Sequence, residues 1–576
     1  MCVLGSQRHR KTVGWSSLGV LAALAGCYQD TPYPPCFVPN DPDPACHVGQ
    51  DEAGTATATG TPTTGTAFPG DSSDSGFGED TGSGETAASP GESSTGTTGP
   101  EEQAEPVIVG MSLTPGPGTP ESCVLQSAGP VTVTVQTDSA MEVWIAVDDG
   151  EAVALEVVSD EGEFVGEIAV LGESWNGPHS VSAVAKSGEL VSAPSFDMFT
   201  VSAPPAGSEA WLEKSALIPS YGNAVAIDAQ GDVYELFTYS SNQGERCKLR
   251  RRDAQGVAVW ADDARSIAPN VDCVGEDIKV GPDGSLWALI NTSQNNAVRW
   301  ELWHLDNEGV LLGLKPQVGS MTHVGTGLDV NAVGEVLVCG TRPGALDSDD
   351  AWVRYQPTVG DGWTVPWVFN AIPNVEADER TRDCAFVEDR IVVVGEAFGK
   401  LQQGEFLAQA RGFVLELGRD STKLAETIAA VGPAWQSGHE AVAPDGSGGY
   451  ATVGYSCDSQ VVPCAPTQGI VRWFSLGGAE IWSELVPKAR RFADVALSPG
   501  EHLVVAAQAV KQEQGIIVQA WTAGVGTPLW EYQGAPSAMQ VAYGVAVGPY
   551  AAVYGVGFYL EANDVLASGV VKLHPL

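Results

Sequence analysis

Positive charge is scarce in this chain: 29 Lys and Arg stand against 72 Asp and Glu in 576 residues, a formal net charge of −43. Such a surface repels phosphate backbones and anionic headgroups, which excludes nucleic acid as an expected partner. Past the N-terminal segment no stretch approaches 18 consecutive apolar residues, so the sequence offers no membrane-spanning helix. The 8 His residues form no cluster at metal-ligand spacing, and no vicinal Cys pair occurs. Long helical periodicity is also missing, while 68 Gly and 37 Pro point to strands and turns.

What is present begins with an address. Arg8, Arg10 and Lys11 form a basic cluster, Val13 to Ala25 is apolar but too short to span, and Leu24-Ala25-Gly26-Cys27 follows. This resembles a bacterial lipobox. The resemblance implies a lipoprotein signal peptide over 1–26, cleavage before Cys27 and a diacylglycerol thioether on its sulfur. The expected location is therefore the bacterial cell envelope, periplasmic or cell-surface, with the membrane as partner through the lipid on Cys27. Several acyl chains would make that anchor stable where one would not.

From Cys27 to Glu105 there is no Lys or Arg, and runs such as Thr55-Ala-Thr-Ala-Thr-Gly-Thr-Pro-Thr-Thr64 replace large apolar residues. A segment of this composition buries too little apolar surface to offset its ordering entropy and reads as a disordered tether. As a flexible coil of about 75 residues it would hold the folded part roughly 45 to 50 Å from its anchor. Eleven cysteines in an exported chain favour disulfides. Candidate pairs are Cys36 with Cys46, Cys457 with Cys464, Cys247 with Cys273, and Cys339 with Cys384, leaving Cys123 over.

Residues 106–204 alternate apolar and polar at period two, as in Val131-Thr-Val-Thr-Val and Met141-Glu-Val-Trp-Ile-Ala-Val, which predicts a β-sandwich of about seven strands. The stretch Gly177-Pro-His-Ser-Val-Ser-Ala-Val-Ala-Lys-Ser-Gly188 resembles the late hairpin of immunoglobulin-like or fibronectin-like modules.

Residues 206–576 repeat one phrase seven times: an apolar strand, a turn with Gly or Pro, then two more strands. Aligned on Ile227, Val280, Val330, Phe386, Ala443, Leu497 and Val547, the units recur every 50 to 57 residues. Such a period marks a β-propeller, because one four-stranded sheet can bury its faces only against neighbours. Several units close on Gly-x-x-x-Trp, as in Gly256 to Trp260, Gly478 to Trp482 and Gly526 to Trp530. The last unit lacks this ending, and Gly207-Ser-Glu-Ala-Trp211 supplies it ahead of the first. The predicted fold is all-β, a seven-bladed β-propeller closed by an N-terminal outer strand, with Trp211 beside Val570 to Leu573.

The first unit, Ala224-Val-Ala-Ile-Asp-Ala-Gln-Gly-Asp-Val-Tyr, resembles NHL-type repeats, and Gly-x-x-x-Trp resembles the tryptophan-docking motif of quinoprotein propellers. These resemblances imply a fold and no single activity, since propellers host lyases, hydrolases and binding scaffolds alike. The sialidase box Ser-x-Asp-x-Gly-x-Thr-Trp and the kelch signature are missing.

Positions just before each aligned residue should ring the channel mouth at the start of the inner strands. Three places before stand Ala224, Asp277, Gly327, Asp383, Glu440, Asp494 and Gly544; four before stand Asn223, Glu276, Thr326, Arg382, His439, Ala493 and Tyr543. Glu276, Asp277, Arg382, Asp383, His439, Glu440, Asp494 and Tyr543 are the candidate binding residues, a polar funnel suited to a cation or basic ligand. His439 beside Glu440 is a conceivable base. Calcium is the candidate metal, at this ring or at Asp347-Ser-Asp-Asp350. The functional expectation is a lipid-anchored binding module for protein, peptide or glycan. The alternatives are a lyase or hydrolase working at the channel mouth and a scaffold for envelope assembly.

Overall fold

The computed structural model describes residues 105–576 apart from 116–123, 126–128, 149, 160–161, 171–172, 216–218, 243, 263, 270, 295–296, 317–322, 344–348, 358–366, 370–376, 401–405, 421, 429–435, 458–466, 499–501, 510–515, 523–524, 535–538, 562–564 and 575–576. The signal segment, Cys27 and the tether lie outside the described residues, as do Cys36, Cys46, Cys123, Cys464 and Asp347. Among the described residues the elements are antiparallel strands joined by short turns.

Two sheets come first. One orders Val107–Pro115, Gly129–Asp138, Glu163–Val170 and Glu156–Ser159; the other is built on Ser195–Val201, Gly177–Ser187 and Glu142–Val147. The period-two pattern turns Val131, Val133 and Val135 of the first sheet toward Val143, Ile145, Val181, Ala183 and Phe199 of the second, in one buried core.

Seven four-stranded antiparallel sheets follow, numbered here in chain order. Their first strands are Ser220–Ile227, Asp272–Val280, Val324–Val330, Ala377–Val387, Gln436–Pro444, Ala489–Leu497 and Met539–Val547. In sheets 1 to 6 the four strands are consecutive in the chain. Sheet 7 takes three consecutive strands, and its fourth is Glu209–Lys214, which pairs with Val565–Leu573 and sets Trp211 opposite Lys572.

The hairpin joining first and second strands is built on an Asx turn in three sheets. The side-chain oxygens of Asp228, Asn331 and Asp445 each accept two backbone N–H groups of their own turn. That local bonding makes Asp and Asn good turn residues.

The apolar faces are buried pairwise, and each cluster draws on two neighbouring sheets. Leu236 and Leu249 of sheet 1 meet Ile278 and Leu286 of sheet 2; Trp300 of sheet 2 meets Trp352 of sheet 3; Val225 of sheet 1 meets Tyr554 and Val556 of sheet 7. Two disulfides cross between sheets inside such cores: Cys247–Cys273 joins sheets 1 and 2, and Cys339–Cys384 joins sheets 3 and 4. Cys457 is also disulfide-bonded.

On the outside, the closing Trp of one sheet lies against the turn Gly of the next. Trp211 packs on Gly256, Trp260 on Gly309, Trp482 on Gly526 and Trp530 on Gly207. Gly207 and Gly526 have φ of +73° and +71°, and an added Cβ would come within 2.6 and 3.1 Å of the indole. Only Gly satisfies both demands at low cost. Where the motif is degraded the contact changes: Gly478 faces Thr427, whose hydroxyl donates to its carbonyl at 3.0 Å, and Gly313 stands where sheet 2 would carry a Trp.

Gly526→Ala is expected to destabilise the protein by more than Gly446→Ala. Both glycines have φ of +71°, but a Cβ at 446 meets nothing within 4 Å. The shared left-handed cost is about 1 kcal/mol, and the excess in Gly526→Ala, read by urea unfolding, measures the Trp482 contact.

Candidate functional site

The first strands of neighbouring sheets pack against one another, and each carries an irregularity near its middle where one residue has no partner across the ladder: Asn223, Glu276, Thr326, Arg382, Glu440, Ala493 and Tyr543. Within three residues beyond the bulge stand four aspartates. Each ties its own sheet to the next. Asp277 accepts from the N–H of Ile278 at 2.7 Å and of Leu328 in sheet 3 at 3.2 Å. Asp329 accepts from Val330 and from Phe386 of sheet 4, Asp383 from Cys384 and from Val442 of sheet 5, and Asp494 from Val495 and from Val545 of sheet 7, all within 2.9 Å. Where an inner position is Gly the strands close up: a Cβ on Gly327 would come 2.7 Å from an Asp383 oxygen.

Among these carboxylates stands Lys279, its Nζ 3.0 Å from Asp277 Oδ1. Burial disfavours the ammonium, but Asp277, Asp383, Asp494 and Asp329 outweigh it and raise its pKa. Burial in turn raises Asp329 and raises Asp383 well above the usual carboxylate range, in each case against the pull of Lys279. Asp494 is pushed up to about 6 by burial, with Lys279 and the Val545 N–H opposing.

Lys279, Asp329 and Asp383 line a cavity of about 510 Å³ at the end of the first strands, whose walls include Val442, Ala443, Val495, Ala496, Leu497 and Val547. Its edge is formed by the turn residues Gly446 and Ser498. Lys279 is deep in the molecule and yet its side chain is 39% exposed, because it borders this open space.

The expected site residues divide into two groups. Asp277, Asp383 and Asp494 converge as the spacing predicts. Glu440 stands apart from them, because the sheet-5 strand ends at Pro444 opposite Tyr450, one residue later than the alignment on Ala443 supposes. Ala441 thereby takes the place beside the aspartates, and Glu440 falls at the bulge with Glu276, Arg382 and Tyr543. There Arg382 Nη2 lies 2.5 Å from Glu396 Oε1 and its Nε 3.7 Å from Glu440 Oε2, while Arg491 pairs with Glu440. Tyr455 donates to Glu396 at 2.6 Å. Burial raises the pKa of Glu396, but Arg382 and Arg380 outweigh it and hold the carboxyl below its usual value.

Glu276 accepts from Asn291 at 2.7 Å, and the ring of Tyr543 lies 5.9 Å from that of Phe558. His439, 2% exposed, is packed edge-on to Phe474, and burial with help from Arg472 lowers its pKa to about 3. The imidazole is thus held neutral, its edge against Gly412 of sheet 4. Among the described residues no group of three or more His, Cys, Asp or Glu is placed to hold a metal ion. In the proposed calcium loop, Asp349 faces Arg380 at 3.5 Å and Asp350 faces Arg342 at 3.4 Å.

Lys279 and Asp329 were not among the expected residues. Both lie two places beyond the Asp277 position, and strand alternation sets them on the same face. The Asx turn was the signal for the fifth unit: aligning Asp445 with Asp228 and Asn331 would have corrected its register.

An all-β protein of propeller type is the class these sheets define. No protein-family profile matches the chain, and no curated protein matches it in sequence. Solved structures resemble it in shape. A polysaccharide lyase of an ulvan-lyase family shares 11% identity with a TM-score of 0.38, covering 63% of this chain and 96% of the lyase. Sqt1 from Chaetomium thermophilum shares 11% at a TM-score of 0.35, covering 63% and 100%. The N11 neuraminidase-like protein of a flat-faced bat influenza virus shares 7% at 0.33, covering 65% and 90%. Likeness at this level says nothing about what this chain does.

The shifted carboxyls imply a pH dependence. Asp494 holds its proton more tightly folded than unfolded, so its contribution to stability is full below 3.8 and is lost as pH rises through about 6. Asp494→Asn is expected to flatten the fall in melting temperature between pH 4 and 7, whatever its absolute stability. An unchanged slope would mean that Asp494 titrates normally.

Proposed function

We propose that the chain is a lipid-anchored protein of the bacterial cell envelope whose seven sheets are the blades of one propeller ring, closed by the strand at Glu209–Lys214. An immunoglobulin-like spacer precedes the ring, and the ring serves as a binding module. The pairing of Glu209–Lys214 with Val565–Leu573, and the core shared by sheets 7 and 1, support the closure. The lipobox and the Thr-rich segment support an anchored, extended presentation.

The binding reading is carried by one observation, the cavity at the end of the channel with Lys279 in its lining. Its size falls in the range of small-ligand and side-chain pockets. Apolar walls with few polar groups bind by excluding water and select by placing a small number of hydrogen bonds. The neighbouring carboxyls are bonded to backbone N–H groups and hold the strands together.

Labelled palmitate should enter the wild type and be lost from Cys27→Ser, which should leave the membrane fraction. Peptide and glycan libraries are then screened by calorimetry against wild type and Ala496→Trp, which fills the cavity. Binding lost in Ala496→Trp supports the module. Turnover of a glycan or peptide would select the lyase or hydrolase reading, and binding unaffected by the filled cavity would displace the site.

A further inference from the structure

We propose that the cavity accepts a neutral aliphatic peptide segment, held by a backbone carbonyl oxygen on Lys279, and that Lys279 is the resident cation of the aspartate ring, excluding metal ions and amines from it. This rests on the reading of the cavity as a binding site.

Charge sets the first limit. The ring of Asp277, Asp329, Asp383 and Asp494 would draw a cation, but an ammonium is already among them, 3.0 Å from Asp277 Oδ1. Each aspartate also accepts on both oxygens from backbone N–H groups, one of its own strand and one of an adjoining first strand. A metal would have to displace the ammonium and compete with those bonds. An anion does no better, since four carboxyls surround the single positive charge.

Hydrogen bonding sets the second. An ammonium has three N–H donors. Among the described residues Asp277 Oδ1 is the partner within hydrogen-bond distance, and the side chain borders the cavity. A neutral oxygen, a carbonyl or a hydroxyl, can accept from the other two without adding charge.

The apolar part of the lining decides between those two. It is aliphatic, with Val442, Ala443, Val495, Ala496, Leu497 and Val547, and no aromatic ring is among the described lining residues. A sugar ring or a base would find no face to stack on, whereas a Leu or Val side chain next to its own peptide carbonyl matches both wall and donor.

The test uses the full chain with lysine labelled at Cε, the Lys279 signal assigned by Lys279→Met. The probes are N-acetyl-leucine methylamide, N-acetyl-leucine carboxylate, leucine methylamide as the free amine, methyl glucoside and calcium. The blocked amide is expected to shift the Lys279 signal and to bind at least tenfold tighter than either charged analogue, with glucoside and calcium leaving the signal in place. Ala496→Trp, which keeps the lysine and the ring, should abolish the shift even if Lys279→Met fails to fold. Tighter binding of the carboxylate, the amine, the glucoside or calcium would overturn the ligand class while leaving a site. No shift with any probe would overturn the site itself.

Discussion

The first strands of successive four-stranded sheets pack directly on one another, and the rest of the structure depends on how that crowding is met. Small residues give the distance: a Cβ on Gly327 would come 2.8 Å from the Asp383 backbone, and one on Gly544 3.3 Å from that of Ala224. Asp277, Asp329, Asp383 and Asp494 give the attachment, since a carboxylate is short, accepts two N–H groups at once and so spans from one strand to the next. The cost is a concentration of negative charge in a buried place. Lys279, placed among the four aspartates, offsets it from within.

Farther out the spacing widens, and the problem changes from crowding to filling. Apolar clusters between successive sheets supply most of the contact, with the indoles of Trp211, Trp260, Trp482 and Trp530 capping the periphery against a turn glycine. Large aromatic rings suit this place because one side chain covers area that several small ones would leave open. Two disulfides fasten sheet pairs 1–2 and 3–4 from inside their shared cores. First and fourth strands therefore use opposite chemistries, charge-assisted hydrogen bonds where strands touch and dispersion where they separate.

Much of this was legible beforehand. Trp211 and its flanks, out of place in the repeat, foretold their partner strand, and the cysteine positions foretold both sheet-to-sheet bridges. Three of the four aspartates stood out by offset. Glu440 falls in with them in the sequence because the Gly-rich turn after Pro444 invites an alignment shifted by one, and a shift by one exchanges the two faces of a strand. Asp329 and Lys279 were hidden for a related reason: an offset counted from a single column does not register a residue two places on, though alternation puts it on the same face. His439 stands beside an acid like a candidate base, and only its packing against Phe474 of its own sheet and Gly412 of sheet 4 shows the ring to be buried.

By itself the sequence determined the all-β class, the repeat and its rim tryptophans, and the crowding of acid near the inner strands, because period-two alternation and turn chemistry act over a few residues and leave local marks. The tertiary structure alone decided that a lysine of one sheet neutralises aspartates of three others besides its own, that the arginines and glutamates at the bulges pair with one another, and that the cavity opens where the first strands end. Those outcomes depend on distances between residues about fifty to two hundred positions apart. No local pattern encodes them, since the same side chain is a counter-ion, a ligand or a solvated charge according to what folding brings beside it.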